Sequence, residues 1–370
     1  MSQNKPHWRI VHTESEIGWG GQEHRIMAEL TGFKQRGHEV FLIAPTHSKI
    51  FQRAEAAGIA VVPMRVLRKE MPLSIPQVAL WLRKNRVDVL NTHSSRDGWI
   101  CGTAGRLAGV PFIVRTRHID VSYPNSWLSR HAYVTLADHV MTTSQKITGH
   151  FEELFRVPAA HLSTVPTGID LNLFKPEGEK AKLVPEENVN LIGMICVLRG
   201  WKGHVTFLEA AQILKASGFP AKFVMVGLMT DHPNIQTQID KMELKDYALG
   251  LGHRDDIPAI LRALNVLVIP STAHEGVPQI GLQAMASKIP VVGSDVGGTP
   301  EVIRHGQTGR IFPAKNAQAL AEAIRQTIAE TDTTQRYVEQ GFQDVQNRHS
   351  LDHMLDTLET LYRRHLPPAS

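Results

Sequence analysis

The sequence predicts an α/β protein with two doubly wound parallel sheets, each belonging to its own domain. The chain has 370 residues, more than one typical domain holds. Its short apolar runs are mostly continuous stretches of Val, Ile and Leu, which is typical of strands buried on both faces of a parallel sheet. Helix-length segments separate these runs, and the alternation stops at a polar segment and then restarts, which indicates two domains.

The first half of the chain carries seven strand candidates. The first helix follows the first candidate and is predicted to close at Gly37, because glycine is common where a helix ends. The seven apolar runs lie at 8–13, 39–45, 59–64, 87–93, 111–118, 139–144 and 162–168.

A polar, proline-bearing segment, 175–188, interrupts the alternation and indicates an interdomain linker. After it the tail from about residue 316 is helical, with an amphipathic last segment. The predicted domains are therefore 1–178 and 179–345, followed by a C-terminal helix in 346–370. Six further strand candidates lie at 189–198, 221–227, 247–252, 266–271, 290–295 and 309–313.

The composition is that of a soluble globular protein, with 42% hydrophobic and 21% charged residues. The two cysteines, Cys101 and Cys196, lie far apart in apolar settings, which argues against a disulfide scaffold or a zinc site and suits a reducing compartment. The first residues lack the pattern of a signal peptide, and no apolar run approaches the ~20 residues that span a bilayer. We therefore expect a soluble, cytoplasmic protein.

The charge is uneven along the chain. Residues 1–170 carry 20 basic and 14 acidic side chains, whereas the remainder carries 20 and 22. An anionic partner, a membrane surface or an ordinary solvated surface would each fit the basic excess of the first half.

Ligands of doubly wound sheets bind at the carboxyl ends of the strands, so the loops after the strands are the places to search. "GWGGQE" (18–23) follows the first strand, and Gly20 and Gly21 would let the backbone approach an anion at a helix start. It is not the dinucleotide fingerprint, because Glu23 occupies the last glycine position. A purely structural turn also fits.

Two further motifs follow strands. "RTRHID" (115–120) places His118 at a strand's carboxyl end, where a histidine can orient a hydroxyl or stabilise charge. "VLRGWKGH" (197–204) places Arg199 and Lys202 three residues apart on a glycine-bearing turn, which suits a pyrophosphate. Each group, taken alone, also fits an incidental histidine or exposed loop cations.

The most distinctive stretch is "HEGVPQIGLQ" (274–283). A helix starting near Pro278 would leave Glu275 in the preceding loop, where it could accept hydrogen bonds from sugar hydroxyls or serve only as a capping charge. The amides at the helix start would favour a phosphate, and Gln283 could bond a hydroxyl on the same side. "VGGTPEVI" (296–303) is interpreted as a structural helix start with Thr299 as its N-cap.

Several signatures are absent from the sequence, namely D-x-D, H-E-x-x-H, C-x-x-C, G-x-S-x-G and the P-loop. Their absence argues against zinc proteases, serine hydrolases and P-loop NTPases, and disfavours metal-dependent sugar transfer.

Taken together and in order, these motifs resemble the retaining nucleotide-sugar glycosyltransferases of family 4, which have the two-domain GT-B fold. The resemblance covers nearly the whole chain. It also rests on "PTGIDLNLF" (166–174), "LGHRDDIPAILRALNVLVIPS" (251–271) and "PVVGSDVGGTPEVIRHGQTGRIF" (290–312). Thr167 stands in the first of these where the family usually has asparagine.

The resemblance implies roles for the first-domain and loop residues. The turn at Gly20 and Gly21 would approach the donor phosphates, and His118 would line the donor sugar near the reacting carbon. Arg199 and Lys202 would hold the diphosphate and stabilise the charge on the leaving group. The final helix would cross back to the first domain, as in the family.

The resemblance also implies a donor site in the second domain. Arg254 would lie near the nucleobase, Glu275 would contact the transferred sugar, and Gln283 occupies the position of the family's second, ribose-binding glutamate. Glutamine keeps an acceptor oxygen and loses the charge, so an altered nucleotide preference is open. The backbone amides expected to bind phosphate are those of Val277, Pro278, Gln279, Ile280 and Gly281.

The function expected from this resemblance is metal-independent, retaining transfer of a sugar from a nucleoside-diphosphate sugar to a glycan or lipid-linked acceptor. The hypothesis includes bacterial surface-polysaccharide or lipopolysaccharide synthesis, peripheral contact with an anionic membrane, and neither a cofactor nor a nucleic-acid partner. A nucleotide-sugar 2-epimerase of the same fold and a non-catalytic nucleotide-sugar-binding protein are the alternatives. A dehydrogenase fits worst, for want of G-x-G-x-x-G.

Overall fold

The computed structural model describes residues 7–66, 68–119, 124–186 and 189–366. The chain forms two compact units. Unit 1 consists of the residues up to Gly168 together with those from Leu351 onward, and unit 2 is Ile169–Ser350. Asp120, part of the "RTRHID" motif, lies outside the described residues.

The described part of unit 1 contains one parallel sheet in the order β3-β2-β1-β4-β5-β6-β7. The order in which strands are added reverses between β1 and β4, and ligands of doubly wound sheets bind at the carboxyl ends of the strands at such a switch point. The strands are β1 Arg9–Thr13, β2 Glu39–Ala44, β3 Ala60–Pro63, β4 Val89–Thr92, β5 Phe112–Arg117, β6 His139–Thr142 and β7 Leu162–Thr164.

Helices cover both faces of this sheet and bury two separate apolar clusters against it. The first helix ends at Gln35 with Arg36 as its C-cap, and Gly37 follows with a left-handed φ of 90°, as the sequence predicts for this helix end. The helices are α1 Gly21–Gln35, α2 Lys49–Ala56, α3 Met71–Lys84, α4 Ser95–Ala108, α5 Trp127–Arg130, α6 Gln145–Phe155 and, from the end of the chain, α14 Leu351–His365; short 3₁₀ or π turns occupy Arg68–Glu70, His131–Thr135 and Ala159–His161.

The last helix, α14, is part of the core of unit 1. Leu358 and Tyr362 are fully buried in the same apolar cluster as Ile26 of α1. A glycine permits this packing, because a Cβ on Gly32 would lie 2.4 Å from the Cδ1 atom of Leu355. Arg36 adds ion pairs to the exposed face of α14.

The described part of unit 2 contains a second parallel sheet, in the order β10-β9-β8-β11-β12-β13. Its strands are β8 Asn190–Ile195, β9 Ala221–Val226, β10 Ala248–Gly250, β11 Val266–Ile269, β12 Val291–Ser294 and β13 Arg310–Phe312. Its helices are α7 His204–Ala216, α8 Pro233–Lys241, α9 Ile257–Ala263, α10 Gln279–Ala286, α11 Thr299–Val302, α12 Ala317–Ala329 and α13 Thr331–Arg348, with a 3₁₀ turn at Gly200–Lys202.

Both sheets agree with the sequence prediction, since each strand lies within the apolar run predicted for it. The boundaries between the units differ from the predicted ones at 178 and 345. Phe174, Val184 and Val345 are buried in one core cluster of unit 2, so the polar segment around residues 175–186 packs onto that unit. Across the described residues, no helix is long and apolar enough to cross a membrane.

Candidate functional site

In unit 2, the sequence-predicted residues Lys202 and Glu275 form an ion pair. The Lys202 Nζ atom donates to both carboxylate oxygens of Glu275, at 3.0 and 2.8 Å, and the Ser271 hydroxyl donates to Oε2 at 2.5 Å. The Glu275 side chain is almost fully buried. A buried carboxylate requires such compensation, so these donors fix its position.

The two loops that carry this pair are joined through their backbones. The Thr272 N–H, after β11, donates to the Trp201 carbonyl oxygen at 2.7 Å, in the turn after β8. Gly203 has a φ of 80°, and a Cβ there would lie 1.8 Å from the Pro270 carbonyl oxygen, so only glycine allows this approach. Arg199 is exposed, with its guanidinium 5.3 Å from the centre of the Trp201 ring. The loop that carries Lys202 therefore holds a second cation, Arg199, over the ring of Trp201.

A third loop, after β12, supports the backbone of Glu275. The Gly298 N–H donates to the Glu275 carbonyl oxygen at 3.1 Å, and a Cβ on Gly297 would lie 1.8 Å from that same oxygen. The interpretation of "VGGTPEVI" as only a helix start missed this contact, although its two adjacent glycines were a signal of close approach. The N-cap prediction was also wrong by one residue, because Gly298 is the N-cap and Thr299 is the first helical residue.

The start of α10 offers fewer backbone donors than the sequence analysis expected. The helix begins at Gln279, with Pro278 in the N-cap position. Pro278 has no N–H, and the Gly281 N–H donates to the Pro278 carbonyl oxygen at 3.0 Å. Pro278 and Gly281 therefore drop out of the expected amide set. Gln283 lies half-buried about one turn into the helix.

Two predicted ligand-binding groups already have partners within the protein. The Arg254 guanidinium makes two hydrogen bonds to the Asp256 carboxylate, at 2.8 and 2.5 Å, and these raise the pKa of Arg254. The Gly20 N–H donates to the Glu23 carboxylate at 2.8 Å and closes the start of α1, whose first residue is the exposed Gly21. In this state the turn serves as a helix cap.

In unit 1, His118 is the end of a row of three buried histidines. The His118 Nε2 atom lies 2.9 Å from Nδ1 of His93, and the Nε2 atom of His93 lies 3.0 Å from Nδ1 of His12. His118 lies just after β5 and is 8% exposed, whereas the other two are fully buried. We call this row the histidine chain. Only His118 was predicted from the sequence, although His93 has the same sequence feature, a histidine directly after a strand.

Burial lowers the pKa of all three histidines, and nearby positive charge adds to this effect. Arg25 lowers each pKa, and Arg115 and Arg117 contribute at His118. The three rings are therefore neutral at pH 7, with one proton on each ring.

Two buried carboxylates near the histidine chain were missed from the sequence. Asp97 accepts from the Thr13 hydroxyl at 2.5 Å and from the His93 N–H at 2.8 Å. Glu14 accepts from the backbone N–H groups of Ser15 and Glu16 at 2.7 and 2.8 Å, and from the amide of Gln22. Burial, together with the charge of Asp97, raises the pKa of Glu14 to about 8.

Glu14→Gln is expected to change how stability depends on pH. A carboxyl with a raised pKa binds its proton more tightly in the folded state, so its stabilisation is present at low pH and is lost as pH rises through about 8. Relative to the variant, the wild type should lose at most about 1.4 kcal/mol of unfolding free energy per pH unit between about pH 5 and 8. Denaturant unfolding of both proteins at several pH values measures this difference. Both proteins contain the same histidines, so the contribution of histidine titration cancels when the two are subtracted. The exposed Glu16→Gln is the control, and a flat difference for Glu14→Gln contradicts the raised pKa.

Comparison with protein families covers both units. Residues 19–173 match the family described as Glycosyltransferase Family 4, and residues 176–344 match the family described as Glycosyl transferases group 1. One curated relative, from Escherichia coli, is a UDP-Gal:alpha-D-GlcNAc-diphosphoundecaprenol alpha-1,3-galactosyltransferase. It is 31% identical over 263 residues, which are 66% of this chain and 67% of the relative.

Solved structures share the fold. A glycosyltransferase from Rickettsia africae superposes with a TM-score of 0.85 at 23% identity, covering 97% of this chain and 98% of the other. A protein from Anabaena, solved in complex with UDP and glucose, superposes with a TM-score of 0.81 at 20% identity, covering 96% of this chain and all of the other. The two parallel sheets therefore form the GT-B fold.

Proposed function

Because the chain belongs to the glycosyltransferases, with a family 4 domain followed by a group 1 domain, we propose that it transfers a sugar from a nucleoside-diphosphate sugar to an acceptor hydroxyl with retention of configuration. The observation that carries this proposal is the ion pair between Lys202 and the buried Glu275, with the exposed Arg199 on the same loop as Lys202. This arrangement combines cations for a diphosphate with a carboxylate for sugar hydroxyls.

The diphosphate is bound by Arg199 and Lys202. An ammonium group has three N–H donors, and two of those on Lys202 point to the Glu275 oxygens. The third can donate to a phosphate oxygen while the ion pair stays intact. Val277 and Ile280 add backbone N–H groups at the start of α10, where the helix dipole favours negative charge.

The remaining donor contacts come from side chains around these loops. Glu275 accepts hydrogen bonds from hydroxyls of the transferred sugar, and Gln283 contacts the ribose. Arg254 lies beside the nucleobase and keeps its pairing with Asp256. In unit 1, His118 and the turn at Gly20 and Gly21 are the residues that we propose for substrate binding.

The reaction proceeds on one face of the sugar. The bond between the anomeric carbon and the phosphate oxygen breaks, and its electrons remain on the diphosphate, which Arg199 and Lys202 stabilise. The acceptor oxygen forms the new bond from the same face, and its proton passes to the leaving phosphate. These fixed cations supply the electrostatic stabilisation, so we propose that the reaction needs neither a metal ion nor an organic cofactor.

The proposed acceptor is a lipid-linked glycan of bacterial surface-polysaccharide or lipopolysaccharide synthesis. The E. coli relative is named for a diphosphoundecaprenol acceptor, and the basic excess of residues 1–170 suits an anionic lipid surface. We propose that the protein works in the cytoplasm, at the inner face of the membrane, without a nucleic-acid partner.

The test begins with a thermal-shift screen against UDP-, GDP- and ADP-sugars, since a bound donor stabilises the folded state. Release of nucleoside diphosphate is then measured with and without acceptor, in the presence and absence of a chelator, and NMR identifies the anomer formed. Acceptor-dependent, chelator-resistant release with a retained anomer is the expected result. An epimer formed without acceptor would establish the epimerase instead, and binding without turnover would establish a non-catalytic protein.

A further inference from the structure

We propose that Glu29, acting through His12 and His93, fixes the tautomer of His118 so that its Nδ1 atom accepts a hydrogen bond. Glu29 is thus a positioning residue, and it lies two histidines away from the nitrogen that it controls. The proposal rests on the proposed function only for the identity of the ligand, a substrate hydroxyl, that His118 Nδ1 would contact.

The histidine chain continues from His12 to a buried ion pair on α1. The His12 Nε2 atom lies 3.7 Å from the Glu29 Oε2 atom, and the Arg25 Nε atom donates to Glu29 Oε1 at 2.6 Å. These side chains are fully buried. Arg25 is held in turn by the Val165 carbonyl oxygen at 2.6 Å, so the far end of the chain is fixed by both helix and strand neighbours.

A row of neutral imidazoles has only two proton arrangements. Each N···N contact needs one donor and one acceptor, and each neutral ring has one of each. If His118 Nε2 donates to His93, then His93 Nε2 must donate to His12, and His12 carries its proton on Nε2. If the order is reversed, the proton of His118 lies on Nδ1. One end of the row therefore determines the other.

Glu29 distinguishes these arrangements at the His12 end. At 3.7 Å the contact is longer than a hydrogen bond. Because both side chains are fully buried, the charge of Glu29 still acts strongly on the His12 ring. An N–H on His12 Nε2 would point its positive end at the carboxylate, whereas the reversed order would point a lone pair at it. The first order is favoured, and it leaves the lone pair of His118 on Nδ1.

Other charged and titratable groups also face the histidine chain, and Arg25, the partner of Glu29, acts on all three rings. Arg115 and Arg117 of β5 act on His118, Asp97 of α4 accepts from the His93 backbone, and the buried Tyr362 of α14 faces Glu29 and Arg25. The positive groups near His118 favour an unprotonated nitrogen on its ring. A neutral acceptor at this position would receive a hydrogen bond from a hydroxyl, which is the group that a sugar or an acceptor presents.

Nitrogen-15 NMR of the histidine rings tests the proposal in the free protein, without substrate or turnover. The expected wild-type spectrum shows His118 protonated on Nε2 and bare on Nδ1. In Glu29→Gln, the glutamine amide can donate to His12 Nε2, so the fraction of His118 protonated on Nδ1 should rise. Wild-type His118 protonated on Nδ1 overturns the proposal directly, whatever the variants do.

The coupling is tested by a second variant that interrupts the histidine chain. In a His12→Phe background, Glu29→Gln should leave the His118 tautomer unchanged, because the connection through His12 is lost. Glu39→Gln is the matched control, since it removes the surface ion pair between Arg9 and Glu39 (2.7 Å) and leaves the histidine chain intact. An equal tautomer change in the presence and absence of His12 would refute transmission along the histidine chain.

The kinetic result separates this proposal from the proposed function. Glu29→Gln should lower kcat/KM for transfer by about 10- to 100-fold, the cost of one mispaired hydrogen bond, while Glu39→Gln retains wild-type activity. If NMR shows the tautomer change and transfer is unaffected, the assignment of His118 to a substrate fails and the positioning role of Glu29 stands. If the tautomer does not change, the positioning role fails whatever the activity.

Discussion

Lys202→Met is expected to lower the rate of sugar transfer by about 10²- to 10³-fold, the typical loss when one preorganised group that stabilises transition-state charge is removed. The substitution removes the cation that we propose stabilises the leaving diphosphate. It also leaves the buried Glu275 carboxylate with the Ser271 hydroxyl but without its ion-pair partner. Initial rates of nucleoside-diphosphate release at saturating donor measure the effect.

The control for this variant is Lys222→Met in the same unit, which removes an ion pair with Glu186 (2.5 Å) away from the candidate site. It should retain wild-type turnover. Near-wild-type turnover of Lys202→Met would refute the assignment of Lys202 to the leaving group, provided that the circular dichroism spectrum is unchanged.

Gly297→Ala is expected to weaken donor binding strongly even though it changes no side chain that we assign to substrate. A methyl group there would lie 1.8 Å from the Glu275 carbonyl oxygen, and the residue has a left-handed φ of 59°. Since the methyl group and the Glu275 carbonyl oxygen cannot both remain in place, one of the two loops must shift, which disturbs the position of Glu275 relative to Lys202. Loss of the thermal shift produced by the donor measures this result, and we expect binding to weaken by at least about 10²-fold, since a positioned charge pair is lost.

Gly218→Ala is the control that separates the effect of the steric clash at Gly297 from the effect of placing alanine in a left-handed backbone conformation. Gly218 has a similar left-handed φ of 70°, but nothing lies within 4 Å of a Cβ placed there. It should cost about 1 kcal/mol of stability and leave donor binding intact. If the two variants bind donor equally well, the contact between Gly297 and Glu275 has no functional importance.

The sheets could be predicted from the sequence because their strands are buried on both faces and read as continuous apolar runs. The boundaries between units could not, since a polar segment can still bury single side chains such as Phe174 and Val184. Lys202 and Glu275 were identified from their motifs, but their direct pairing depends on how two loops approach, which no local pattern encodes. The amide set predicted from the sequence was too large, because Pro278 has no N–H and the Gly281 N–H is already bonded to the Pro278 carbonyl oxygen.

The histidine chain illustrates a second limit. His12, His93 and His118 are far apart in sequence, and they meet because β1, β4 and β5 are neighbours in the sheet order. The sequence predicts the strands but not this order, so only the histidine that belongs to a recognisable motif was identified. Glu14 and Glu29 were also missed. Each has partners close in sequence, Ser15 and Glu16 for Glu14 and Arg25 for Glu29, but the burial of both carboxylates depends on distant elements.

The two units differ in when each can be completed during synthesis. Unit 2 is one continuous stretch, Ile169–Ser350, whereas unit 1 needs both the beginning and the end of the chain. Until Leu358 and Tyr362 leave the ribosome, the apolar surface of α1 that they cover has no partner. Unit 2 can therefore fold first, and the packing of α14, a helix of 15 residues, onto α1 is the step that completes the core of unit 1.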